Sequence, residues 1–258
     1  MRMPAATARA TVEGRAMVDR LMAFEIVDRS LVLGAQAFSA LIPMLIVFAS
    51  WGASDGDGMA ESVVDRFGLS GEGATAVRRA FAAPAEGTSV TVAGLLLVIV
   101  SALSFTRRVQ SLFERSWDQE RRGLRATSWG LGWLALFALY WTLFPLVSDA
   151  LDGPGRWIIS LAGTFGFWLA TPYVLLGRRV PWRHLLLQAA LTAVGMTALT
   201  AGAALYAPRA ITTSAEEFGA IGVAFSLLSL LWAGGFVVVV AAALGSYPFV
   251  GRDRSAAR

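Results

Sequence analysis

FGAIGVAFSLLSLLWAGGFVVVVAAALGSYPFV, residues 218–250, runs for 33 positions without one charged side chain. A helix rises about 1.5 Å per residue, so about 20 apolar residues cross a hydrocarbon layer about 30 Å thick. This stretch is long enough to cross with residues to spare, and it tilts or ends near Tyr247-Pro248. Inside hydrocarbon every backbone N–H and C=O must find its partner within the protein, which leaves helices and closed barrels. Barrel strands span about 9–11 residues and alternate apolar with polar. The stretch does neither, so it reads as a membrane-crossing helix.

Five more uncharged runs lie upstream: Leu31 to Trp51, Thr88 to Thr106, Ala126 to Val147, Trp157 to Gly177 and Leu185 to Ala207. The predicted fold is therefore all-α: a polytopic membrane protein with six transmembrane helices and short amphipathic interfacial helices. Composition agrees. Charged residues are 16% of the chain, against about 25% in a soluble domain. The predicted organisation is a cytoplasmic amphipathic N-terminal segment (1–29), a six-helix transmembrane domain (30–250) and a cytoplasmic tail (251–258). Within the domain lie an outer helical segment (52–87) and a cytoplasmic amphipathic loop (107–125).

Orientation follows from arginine, which supplies all 22 basic residues. Seventeen fall in the first segment, the second-to-third and fourth-to-fifth connections and the tail; five fall in the other three connections. Cytoplasmic loops collect such residues, so both termini are placed in the cytoplasm. Trp51, Trp157 and Tyr206 mark outer boundaries, and Trp129, Trp182 and Tyr247 inner ones, as an interfacial aromatic belt does. Met17, Leu21 and Phe24 share one helical face ahead of the first span. Val109, Leu112, Phe113 and Trp117 form an apolar stripe among Arg107, Arg108, Arg115, Arg121 and Arg122. Such a basic amphipathic segment favours anionic lipid headgroups. In the outer segment Met59, Val63 and Phe67 recur at four-residue spacing, as do Val77 and Phe81, consistent with two short helices over the outer mouth.

No Asp, Glu, Arg or His lies within any of the six runs. A carboxylate proton relay, common in proton-coupled pumps, is thereby disfavoured. The polar groups inside are neutral. Gln36 and Gln188 lie at similar depth from the arginine-rich side, Ser101 and Ser104 reach the same level, and Ser39 is one turn beyond Gln36. Convergence of these faces makes a polar vestibule; the alternative is that they join helices by hydrogen bonds. Pro43 interrupts the hydrogen-bond ladder of the first span and predicts a kink. The substrate-path candidates are thus Gln36, Ser39, Pro43, Ser101, Ser104 and Gln188. The absence of cysteine excludes thiolate chemistry, and a lone histidine, His184, makes neither a histidine metal site nor a triad. No catalytic residue, metal or cofactor is expected.

The stretch Gly34-Ala35-Gln36-Ala37-Phe38-Ser39-Ala40-Leu41-Ile42-Pro43-Met44-Leu45 resembles the corresponding entry of the YihY/BrkB family of bacterial inner-membrane proteins. So do the amphipathic Arg107–Trp117–Arg122 segment, and Phe218-Gly219-Ala220-Ile221-Gly222 with Trp232 and Leu244-Gly245. The resemblance covers about Arg20 to Val250. It departs at Ser246-Tyr247, where an acidic residue is common, and at Ala40, where a serine is common. It implies a multi-pass protein of the bacterial plasma membrane, in a family whose members carry labels ranging from ribonuclease through virulence or serum-resistance factor to transporter. Phosphodiester cleavage needs a metal cluster or a paired acid and base, and this chain offers neither. No enzyme activity and no nucleic-acid partner are expected. The favoured expectation is a transporter or lipid-handling protein, and the alternative is a non-transporting, envelope-organising interaction protein. The bilayer is the expected partner, with self-association into a homo-oligomer a further expectation. Reporter fusions at residues 1 and 258 are predicted to appear on the same, cytoplasmic, side; reporters on opposite faces would overturn the arginine argument.

Overall fold

The computed structural model describes residues 24–51, 61, 64, 71, 74–75, 78, 92–123, 127–149 and 154–256. The amphipathic positions Met17 and Leu21, and Met59, Val63, Phe67, Val77 and Phe81 of the outer segment, lie outside the described residues, as do most of 52–87 and the last two residues of the tail. Among the described residues the fold is all-helical: α1 (Ile26–Trp51), α2 (Val92–Ser116), α3 (Thr127–Asp149), α4 (Pro154–Leu175), α5 (Trp182–Phe218) and α6 (Ala220–Ala256). Each uncharged run of the sequence falls on one of them.

Among the described residues, four helices contain a stretch long and apolar enough to cross a membrane: Leu96–Ser116, Ile158–Leu175, Trp182–Phe218 and Ile221–Val250. The last has the highest mean hydropathy, 2.4. Large apolar side chains stand on the outside of these helices, among them Leu96, Val100, Ile158, Val194 and Leu205. That outward apolar face is what a hydrocarbon solvent requires and what water penalises. Four helices run well beyond the predicted spans: α1 starts at Ile26, before Leu31, and α6 continues through Pro248 to Ala256 rather than ending near Tyr247-Pro248. Helix α2 continues through the arginines to Ser116, and α5 continues past Ala207 to Phe218. At 37 residues α5 is about 55 Å long, nearly twice the hydrocarbon thickness.

Two compact units divide the chain. The first comprises Met1–Leu31, Gln110–Val194 and Phe236–Arg258. In it α3 and α4 form a hairpin held by aromatic rings. Tyr140 stacks on Phe167 at 4.5 Å and on Phe144 at 4.8 Å, and the Phe144 ring sits against the bare backbone of Gly163. The Trp133 indole N–H donates to Thr171 Oγ1 at 3.2 Å, and Thr171 in turn donates to the Phe167 carbonyl at 2.9 Å. Elsewhere in this unit Ala189, Ala193, Ala242 and Ala243 are buried almost completely. Small residues permit close helix approach where no hydrophobic effect drives association. On α5, Ala189 and Ala193, one turn apart, serve that purpose.

The second unit comprises Val32–Val109 and Gly195–Gly235. Its centre is the α5–α6 hairpin, turned by the single residue Gly219 at φ 61°. That left-handed conformation suits glycine. Gly222 then rests directly on the Ser214 carbonyl. Two described residues of the outer segment, Val64 and Ala74, are buried against Ala207, Ile211, Ala215 and Val223. Arg78 makes a forked bond to Glu61, at 3.0 and 2.9 Å. The Arg78 hydrogen bond holds the Glu61 carboxyl below its usual range. This contact is complete at neutral pH and is lost only as pH falls through that lowered value.

Helix α1 meets α6 in this unit at Gly34, where an added methyl would stand 2.7 Å from the Trp232 Cα and 2.9 Å from its nitrogen. Backbone atoms cannot rotate away. Gly34→Ala is therefore predicted to destabilise the protein by about 1–3 kcal/mol. Gly202→Ala, where nothing lies within 4 Å, is predicted to leave stability unchanged or raise it by up to about 1 kcal/mol. Unfolding of the two variants in detergent micelles checks the contrast.

Candidate functional site

Of the substrate-path candidates, Gln188 lies in the first unit and Gln36, Ser39, Pro43, Ser101 and Ser104 in the second. Gln36, Ser101 and Ser104 are half-buried; Ser39 is exposed and donates to the Ala35 carbonyl of its own helix at 2.9 Å. Helix α1 runs through Pro43. Gln188 is buried, and its amide oxygen accepts the Trp117 indole N–H at 2.7 Å. Gly245 of α6 passes so close that a methyl there would sit 2.5 Å from the Gln188 Cβ and 2.6 Å from its Cα. The Thr192 hydroxyl closes the next turn on the Gln188 carbonyl at 2.8 Å. Gln188 thus joins α5 to the turn after α2 and lies beneath α6.

A denser polar cluster occupies the same end of this unit. Glu114, near the end of α2, is only 4% exposed, a rare state for a carboxylate unless it is paired. Its Oε1 accepts from Arg179 Nη2 at 3.1 Å and from Gln110 Nε2 at 3.2 Å. Arg179 also donates from Nη1 to the Glu120 carbonyl and from Nε to the Leu176 carbonyl, both at 2.9 Å. One guanidinium therefore ties the turn after α2 to the turn after α4.

Local chain geometry puts these groups there. Helix α2 ends when Asp118 enters the left-handed region (φ 51°), and the Gln119 N–H reaches back to the Glu114 carbonyl at 2.7 Å. Helix α4 ends in the same way at Gly177 (φ 61°), with the Arg178 N–H on the Tyr173 carbonyl at 3.0 Å. Both are Schellman-type ends, in which a left-handed residue lets the next N–H satisfy a carbonyl of the last turn. Arg178 itself is left-handed at φ 60°, an uncommon conformation for a long side chain. Its guanidinium lies over the rings of Trp129 (5.9 Å) and Tyr173 (5.8 Å), a favourable cation–π arrangement.

Beside the cluster opens a cavity of about 300 Å³, lined by Trp117, Asp118, Gln119, Arg179, His184 and Phe249 among others. His184 stacks on Phe249 at 4.3 Å with ring planes 20° apart, and Phe249 leans against Trp117 at 5.8 Å. The cavity combines an aromatic floor with one carboxylate, one guanidinium and one imidazole. No group of three or more metal-ligating His, Cys, Asp or Glu occurs among the described residues. The arrangement can hold a polar, charged group against rings.

Sequence reading singled out Gln188 but missed Glu114 and Arg179. A signal was present: Gln110 and Glu114 fall in the register of the Val109–Leu112–Phe113 stripe, and these three apolar residues are buried. Arg107, Arg108, Arg115, Arg121 and Arg122 of the same segment are exposed.

The family model described as Virulence factor BrkB matches residues 17–248. No curated protein and no solved structure matches the chain.

Removing one partner of a buried ion pair leaves the other charge uncompensated. Glu114→Ala is therefore predicted to destabilise the protein by about 3–5 kcal/mol, whereas Arg115→Ala, at an exposed neighbouring position, stays within about 0.5 kcal/mol of the parent. Chemical denaturation in detergent distinguishes them, and equal effects would refute the assigned role of Glu114.

Proposed function

The chain belongs to the Virulence factor BrkB family, and on that premise we propose that this integral membrane protein is a six-span transporter or lipid-handling protein. In this reading it resides in the bacterial inner membrane with both termini in the cytoplasm. The observation that carries it is the cavity of about 300 Å³ beside the ends of α2 and α4 and the start of α5. Its volume is at the low end of the range for ligand sites. It opens where the apolar stretches give way to Arg178, Arg179 and Arg183, the position a charged headgroup occupies when its tails lie in hydrocarbon. Arg107, Arg108, Arg115, Arg121 and Arg122, at the end of α2 and in the turn after it, are exposed, and their positive charge attracts anionic lipid within about a Debye length.

The six-span count takes α1 and α3 as crossing helices alongside the four already described. Each is over 20 residues long, at 26 and 23, and each carries one of the uncharged runs. Within the second unit, the half-buried Gln36, Ser101 and Ser104 supply neutral hydrogen-bonding groups without the desolvation cost of a charge.

A second reading, a non-transporting protein that organises the envelope, draws on the outer segment, where Val64 and Ala74 pack onto the α5–α6 hairpin. One assay separates the two readings. Reconstituted vesicles carrying a fluorescent phospholipid are predicted to move the label between leaflets, and Gln36→Leu to abolish that movement without lowering expression. Movement no faster than in protein-free vesicles would favour the second reading.

A further inference from the structure

We propose that Arg122, Arg178 and the Trp129 indole form a seat for the phosphodiester of an anionic phospholipid, with an acyl chain lying along α3. This rests on α3 crossing the bilayer, as in the six-span reading, and not on transport. Every residue of the seat belongs to the first unit.

The turn after α4 builds the seat. Gly177 is left-handed (φ 61°), and its bare Cα lets two side chains settle against it: a methyl there would meet Arg122 Nη1 at 2.5 Å and Trp129 Nε1 at 3.2 Å. The Arg178 guanidinium lies over the Trp129 ring at 5.9 Å and the Tyr173 ring at 5.8 Å. Two guanidiniums therefore flank one indole. Among the described residues neither of them is joined to a carboxylate, whereas Arg179 is paired with Glu114. Residues 114–122 and 178–183 carry six arginines against three carboxylates, so the surplus here is positive. A phosphodiester accepts paired N–H bonds from a planar guanidinium, and the indole adds another donor. A headgroup that also carries an ammonium or trimethylammonium brings positive charge to this surplus and is disfavoured. The source is a lipid rather than a free anion because of α3. Trp129, Gly132, Leu136, Leu139 and Leu143 fall on one stripe of that helix. Leu139 and Leu143 are exposed, and nothing lies within 4 Å of a methyl placed on Gly132. An apolar track thus starts at a notch beside the rings. It suits a hydrocarbon chain and offers nothing to inorganic phosphate.

The test uses the purified full-length protein in detergent, titrated with phosphatidylglycerol or phosphatidylcholine of equal chain length, with bound lipid counted by native mass spectrometry. The parent protein is expected to prefer phosphatidylglycerol by about tenfold. Arg178→Asn removes the charge and supplies a side chain that tolerates the left-handed backbone. This variant and Arg122→Gln are each expected to cut the preference to about threefold or less. Arg115→Gln removes the same charge from an exposed position of α2 and is expected to retain the preference. Equal binding of the two lipids by the parent overturns the proposal, and so do equal losses in Arg178→Asn and Arg115→Gln, which mean diffuse charge and no seat. Should Arg178→Asn not fold, Arg122→Gln, at an exposed position, decides in its place. Inorganic phosphate added as competitor is expected to leave phosphatidylglycerol bound; displacement at equal concentration overturns the lipid assignment. Leu139→Cys, in a chain with no other cysteine, is expected to resist a water-soluble maleimide in reconstituted vesicles. Its labelling defeats the crossing of α3 and the proposal with it, whereas a lost lipid preference with Leu139→Cys protected defeats this seat alone.

Discussion

A backbone amide placed in hydrocarbon can bond only to its own protein, and the rest of this structure follows from that constraint. It favours a helix for each uncharged run and places the turns at helix ends, with Pro172, Pro208 and Pro248 carried inside helices. The turns that join α2 to α3 and α4 to α5 are therefore where the polar chemistry collects. There the last carbonyls of α2 and α4 are closed by left-handed residues, Asp118 and Gly177, rather than left bare.

Once the chain has turned, a second constraint acts. Carbonyls and carboxylates gathered at helix ends need donors, and Arg179 supplies three N–H bonds to three different groups. A lysine has a single point of charge and could not match that planar fork. Trp117 does the parallel service for Gln188, so that one buried amide is satisfied by a side chain 71 positions away. Packing then closes around these bonds. Gly245 allows α6 to lie on the Gln188 backbone, and the nearly fully buried alanines of α5 and α6 show the same economy of side-chain volume.

In the proposed reading the link from this architecture to function runs through the cavity. The same turn that ends α2 presents Asp118 to it, and the same guanidinium that binds Glu114 borders it. The helix-end frame and the cavity wall thus share residues. A change at Glu114 acts on the frame, while Asp118 and His184 are exposed and touch the cavity directly.

Sequence alone determined the helical class and the place of all six helices, because length without charge is a local property that hydrocarbon converts directly into a helix. It also separated Gln188 from ordinary core positions, since an amide within an apolar run is conspicuous. It could not reveal that this amide answers Trp117, nor that Glu114 and Arg179 form a largely buried pair. Those contacts join residues 65 to 71 positions apart, and nothing in local periodicity encodes which helix ends meet. Tertiary structure decided them, because a buried charge or amide is tolerated only where a distant partner is brought within hydrogen-bond reach.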